Sequence, residues 1–314
     1  MAKATRAAFG EALVRLANTV PELVVLDADL AKSTMTADFM KKHPDRHFEI
    51  GIAEQNMIGI AAGLALSGKI PVAASFACFL VGRLETIRVA VAYTGANVKL
   101  AGTHAGIGIG DDGASQMGLE DVAALRALPG MTVLQPADEL ETNGAVEWML
   151  RHRGPVYIRL TRQKLPEVHK PGYRFQMGVA DAVYEPAKKP ETHLQATVFA
   201  SGGTVGEAVA AAEDLGKRGF LVRVMNAGTL HPFDADAAVR AAADSQRIVT
   251  VEDHNVTGGL GSAVCEALAE RGTPVPVVRL GVREFGESGE SAELYARHGI
   301  SAGHIAEACL RNLG

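Results

Sequence analysis

A chain of 314 residues can bury sizeable cores and is expected to divide into two domains. Its 47% hydrophobic and 21% charged content is that of folded globular protein, while a formal charge of −5 and only 5% aromatics disfavour nucleic acid and anionic membrane as general partners, since these call for a basic face or stacking platforms. Cys78, Cys265 and Cys309 lie too far apart to ligate one metal by spacing, and an odd count without an apolar secretory core at the N-terminus predicts a cytoplasmic protein in a reducing compartment.

Strand and helix signals alternate through the first half. Helical spacing over 6–17 leads to an apolar strand at 23–26, then a strand at 47–52 and an uncharged helix at 55–66. A strand at 71–75, a helix at 80–93 and a strand at 98–102 follow. Further signals fall at 119–128, 131–134, 139–151 and 156–160. Continuous apolar strands separated by helices imply a parallel sheet covered on both faces.

From 163 to about 195 the pattern lapses into segments rich in Pro, Lys and Glu, the best linker candidate. A second alternation runs through 196–200, 205–215, 221–225, 248–251, 262–269 and 275–280. Helices at 291–298 and 302–313 close the chain. The expected fold class is α/β, with two domains that each hold a mainly parallel sheet flanked by helices.

Glu54 stands where an apolar strand meets an apolar helix. Burial raises the pKa of a carboxyl group, which can then hold and share a proton near neutral pH. A helix-end acid that only complements the helix dipole is the equal alternative. Gly108 to Gly113 formally matches G-x-G-x-x-G, but Asp111 and Asp112 within it would repel a pyrophosphate, so no nicotinamide cofactor is expected. His104 and Gln116 flank this loop at a strand end, where open α/β sheets bind ligands. Arg6, Ser33 and Arg162 stand near other element ends, and arginine forks suit phosphate. Phe76 and Phe79 could stack on a planar ligand or pack a core. His43 and His47 are not a metal pair, because Pro44 breaks the helical face it needs. Gly258 to Ser262 could bind an anion or simply reverse the chain.

Together the segments Thr5-Arg6, Ala28 to Ser33, Gly51 to Met57, Ser75 to Phe79, Thr103 to Asp121, Arg159 to Gln163 and Val251 to Gly261 resemble the C-terminal half of transketolase, in family order over nearly the whole chain. The resemblance implies a pyrimidine-binding domain over 1–180, a linker at 181–195 and a transketolase C-terminal domain over 196–314. It implies thiamine diphosphate as cofactor, with Glu54 bonded to N1′ of its aminopyrimidine. Phe79 and Phe76 would pack on that ring, and Asp29, Leu30 and Gln116 would border the cofactor. Glu54 and His104 would be catalytic. His104 and Asp112 would meet sugar hydroxyls, while Arg6, Ser33 and Arg162 hold the sugar phosphate. Ser115-Gln116-Met117 resembles the animal-type form, with glutamine in place of histidine.

The family's GDG motif for Mg²⁺ and diphosphate does not occur, so the chain looks like the smaller subunit of a split transketolase, with no metal ligands of its own. Mg²⁺ would be held mainly by an N-terminal partner subunit, in a homodimer or heterotetramer serving pentose phosphate metabolism. The alternatives are the β subunit of a 2-oxo acid dehydrogenase, which would not need the phosphate-gripping set, and a non-catalytic regulatory subunit.

Overall fold

Every residue of Leu23–Asp27, Lys99–Thr103 and Val156–Arg159 is buried, as strands covered on both faces require. The computed structural model describes residues 2–187 and 192–311 and gathers such runs into two large sheets, beside a small antiparallel pairing of Lys3–Ala4 with Lys164–Leu165. The first part of the chain supplies β1 (Lys3–Ala4), β2 (Leu23–Asp27), β3 (His47–Glu49), β4 (Ile70–Phe76), β5 (Lys99–Thr103), β6 (Thr132–Leu134), β7 (Val156–Arg159) and β8 (Lys164–Leu165). Six of them form a parallel array in the order β6-β7-β5-β4-β2-β3. The strand period of two sends Val25 to one face and Leu26 to the other. Val25 joins Phe9, Leu13, Val146 and Met149 of the helices Thr5–Leu16 and Glu139–Arg151. Leu26 joins Met57 and Ile58 of Glu54–Leu66 and Val122 and Leu125 of Asp121–Arg126.

The second part supplies β9 (Asp181–Tyr184), β10 (Ala196–Ala200), β11 (Val222–Asn226), β12 (Thr229–His231), β13 (Ile248–Asn255) and β14 (Val277–Val282). Its sheet runs β14-β13-β10-β11-β9, parallel except for β9. β12 leaves this domain and pairs antiparallel with β6, becoming the seventh strand of the first sheet.

The junction is polar at its centre. Arg159 is fully buried and donates from Nε to Asp121 Oδ2 at 2.9 Å, from Nη1 to Asp253 Oδ1 at 2.6 Å and from Nη2 to the Gly118 carbonyl at 2.9 Å. Asp121 also accepts from Tyr157 at 2.6 Å, and Asp253 from Tyr295 at 3.2 Å.

The segment expected as a linker, 181–195, opens with β9, a half-exposed edge strand too short to stand out among its Pro- and Lys-rich flanks. Residues 188–191 of that segment, and 312–313 of the helix expected to 313, lie outside the described residues. The single helix expected over 80–93 is three pieces, Ala77–Val81, Leu84–Thr86 and a π-helical Ile87–Ala92, because Gly82 closes the first. Among the described residues no helix is long and apolar enough to cross a membrane.

Candidate active site at the strand ends

Glu54 is the first residue of its helix and only 5% exposed. Its Oε1 accepts a hydrogen bond from Ser75 Oγ, 3.1 Å away on β4, which ties the carboxylate to the neighbouring strand end. The helix start faces an open cavity of about 610 Å³ lined by Ala53, Glu54, Gln55, Asn56, Gly59 and Arg83, among others. The loop before it is held by Glu49, whose Oε1 accepts from the Asp29 and Gly51 N–H groups, each at 2.8 Å.

Beyond Ser75, Phe76 and Phe79 stack at 5.3 Å, and Phe76 also stacks with the His104 ring at 3.7 Å. Arg6 Nη1 approaches His104 Nε2 at 3.0 Å and donates to the Ser33 carbonyl at 2.7 Å. A guanidinium can only donate, so Nε2 must carry the lone pair and Nδ1 the hydrogen, directed to Thr103 Oγ1 at 3.0 Å. Burial, then the charges of Arg6 and Arg162, push the His104 pKa down to about 3. His104 is therefore neutral, and its 4.0 Å approach to Asp112 Oδ2 is not an ion pair. Asp112 pairs instead with Arg162 Nε at 3.4 Å, while Arg162 Nη1 donates to the Ile109 carbonyl at 3.1 Å. Burial and repulsion from Arg162 lower the pKa of Arg6. Two mutually repelling guanidiniums with one carboxylate between them leave a cationic spot suited to an anion.

Arg6, Ser33, His104, Asp112 and Arg162 thus form one connected group, joined through Phe76 to Phe79 and, along β4, to Glu54. Asp29 and Leu30 lie at the end of β2, held by Glu49 and by Asp27, whose Oδ1 accepts from the Leu30 N–H at 2.6 Å. Gln116 sits in a 3₁₀ turn, and its carbonyl accepts from the Cys78 thiol at 3.2 Å. Burial pushes that thiol up to about 12, so it stays protonated as a donor. The sequence reading missed Ser75 and Thr103, apolar-looking strand positions whose hydroxyls orient the two central groups. It also missed the left-handed φ of Asp29 (61°) and His104 (53°), strain characteristic of strand-end sites.

The second-domain loop from Gly258 to Ser262 is not an anion site. Glu252 fills that helix start, accepting from the Leu260 and Gly261 N–H groups at 2.7 and 2.9 Å. Its glycines serve the chain reversal, with Gly258 at φ 77°.

Family models for the transketolase pyrimidine-binding domain and the transketolase C-terminal domain match residues 1–168 and 185–305. The chain is 39% identical to the 6-deoxy-6-sulfo-D-fructose transketolase subunit SqwH of Clostridium sp. (strain MSTE9), covering 96% of this chain and 92% of that one. It is 40% identical to the transketolase of Homo sapiens over 97% of its length but only 48% of the human chain. A solved structure described as a split-gene transketolase, an inactive β4 tetramer, superimposes with a TM-score of 0.89 at 42% identity, covering 99% of this chain and 98% of that one. With two family models covering both sheets and relatives matched end to end, the chain belongs to the transketolase family, as a subunit of the split type.

Proposed function

We propose that the chain is the smaller subunit of a thiamine-diphosphate-dependent transketolase, which moves a two-carbon ketol unit from a ketose phosphate to an aldose phosphate in the cytoplasm. The observation that carries this reading is one row of strand ends holding a buried carboxylate, an aromatic stack and a paired-arginine spot. In this reading residues 1–180 form the pyrimidine-binding domain and 196–314 the C-terminal domain.

The donor set fits the cofactor. Glu54 is buried yet borders an open cavity, and the Phe76–Phe79 stack offers an aromatic flank. The bound cofactor supplies the electron sink that lets a carbon–carbon bond beside a carbonyl break. Glu54 holds the proton shared with the ring nitrogen N1′, and Ser75 fixes the carboxylate that presents it. Phe79 and Phe76 flank the ring, while Asp29, Leu30 and Gln116 border it. His104, kept neutral with its lone pair on Nε2, can accept a hydrogen bond from a sugar hydroxyl without competing as a cation, and Asp112 accepts from another. Arg6 and Arg162, with Ser33, grip the terminal anion.

A partner subunit supplies the diphosphate and Mg²⁺ half of the site. Support comes from exposed apolar side chains around the Glu54 helix: Ile52 (84%), Leu66 (76%) and Tyr93 (87%). Gly59 and Gly63 on that helix face open space. The split-gene relative is inactive as a β4 tetramer, and this chain is read as inactive alone in the same way.

Mixing the chain with a diphosphate-domain subunit should give two-carbon transfer from xylulose 5-phosphate to ribose 5-phosphate, with none from pyruvate. Full ketol transfer by the pure chain would sink the split-subunit reading. Turnover of pyruvate would favour a 2-oxo acid dehydrogenase. The SqwH relative makes a sulfonated ketose the natural second donor to assay, because the same arginines can grip sulfonate.

A further inference from the structure

A second polar cluster lies away from the strand-end site, where the two domains meet. Glu141, on the Glu139–Arg151 helix, His169, in the connecting segment, and Asp181, on β9, each place one donor atom within 4.8 Å of the others. Glu141 and His169 are buried, and Asp181 is half-buried. His169 Nε2 is buried without a hydrogen-bond partner and lies 3.9 Å from Asp181 Oδ2. Among the described residues no lysine or arginine pairs with any of these groups.

The surroundings orient each donor. Asp138 Oδ2 accepts from the His169 backbone N–H at 2.8 Å and lies 2.9 Å from ring Nδ1. With the Nδ1 hydrogen directed to Asp138, the lone pair of neutral His169 stands on Nε2, facing the cluster. A carboxylate behind a ligating imidazole is the usual support of a metal-bound histidine. Glu141 is fixed by the Asn226 amide at 2.9 Å and the Ala137 N–H at 2.7 Å, and Asp181 by Tyr173 Oη at 2.8 Å.

We propose that Glu141, His169 and Asp181 bind one divalent transition-metal ion of the zinc class, which staples the first domain to the leading strand of the second sheet. One imidazole and two carboxylates are a zinc-type donor set that leaves a fourth position for water. Zinc bonds of about 2.0–2.1 Å require the three donors to draw together by about an ångström. The half-exposed Asp181 provides the route in. Burial raises the pKa of Glu141 to about 7 and also raises that of Asp181, so a cation would relieve two desolvated carboxylates. Against burial, which lowers it, the Asp138 hydrogen bond and then the charges of Glu141, Asp138 and Asp181 raise His169, making protons the competitor that metal uptake releases.

The test uses the full chain stripped with EDTA and then exposed to Zn²⁺ alone, with bound metal counted after desalting. Wild type should retain about one zinc per chain and melt several degrees higher with zinc than without. Both His169→Gln and Asp181→Asn should weaken retention at least tenfold. Co²⁺ in place of zinc should give a visible absorption band that Asp181→Asn removes. Asp181 is half-exposed, so that variant keeps the test decisive if His169→Gln fails to fold. Absence of retained zinc in wild type, or equal retention in Asp181→Asn, overturns the proposal.

Discussion

Arg159 Nη1 lies 2.6 Å from Asp253 Oδ1 with both side chains wholly buried, one at the end of the first sheet and the other in the second. Arg159 also pairs with Asp121, so removing the guanidinium leaves two buried carboxylates without a cation, and breaking a buried pair costs about 3–5 kcal/mol. Arg159→Met should therefore lower the unfolding free energy by at least about that amount. Arg151→Ala, which breaks the exposed Arg151–Glu147 pair, should cost less than about 1 kcal/mol. Denaturant titration of both variants separates the two cases, and equal losses would refute the assignment.

Glu54→Gln keeps the shape and the Ser75 contact but cannot hold the shared proton as a carboxylic acid. In the reconstituted complex its turnover should fall by at least about 10²-fold, the scale of a lost acid–base group. The melting temperature of the isolated variant should stay close to wild type. Unchanged turnover would favour a non-catalytic subunit.

Arg162→Ala removes one arm of the anion grip while leaving Glu54 and its strand intact. A charge-assisted hydrogen bond worth about 1.5–3 kcal/mol predicts a KM for the phosphorylated ketose raised about 10- to 100-fold, with little change in kcat. A ketose lacking the terminal anion should show no such penalty. Comparable losses on both donors would place Arg162 outside the grip.

His104 sets a pH dependence whose sign is fixed. Its folded pKa is about 3, against an ordinary value of 6.5. Above pH 6.5 the imidazole is neutral in both states and contributes no slope. As pH falls, the unfolded chain takes up a proton that the folded chain refuses until about pH 3, so stability declines, by about 2 kcal/mol at pH 5. His104→Asn should flatten the loss of stability between pH 7 and pH 5 by about that amount. An identical decline in wild type and variant would show that His104 is not held neutral.

The parallel sheets could be read from the sequence because strands such as β2 are buried on both faces, so that Leu23 to Leu26 appears as an unbroken apolar run. β12 could not, since three residues carry no periodicity and their partner strand, β6, lies about a hundred residues earlier. Within the site, Arg6, His104 and Arg162 stood out by residue type and strand-end position. Ser75 and Thr103 did not, because a hydroxyl inside an apolar strand looks the same whether or not it orients a catalytic group. Asp253 was visible as part of a loop motif, but its bond to Arg159 spans 94 residues. Spacing along the chain carries no trace of such a contact.

The crossing of β12 into the first sheet also bears on how this protein can be divided. Cutting the chain between its two family domains would strip β6 of its neighbour and leave a row of backbone donors and acceptors open to pairing with other chains. An isolated first domain should therefore aggregate through that edge. A proline or lysine placed on β6 to block it would be the first step in making the fragment well behaved.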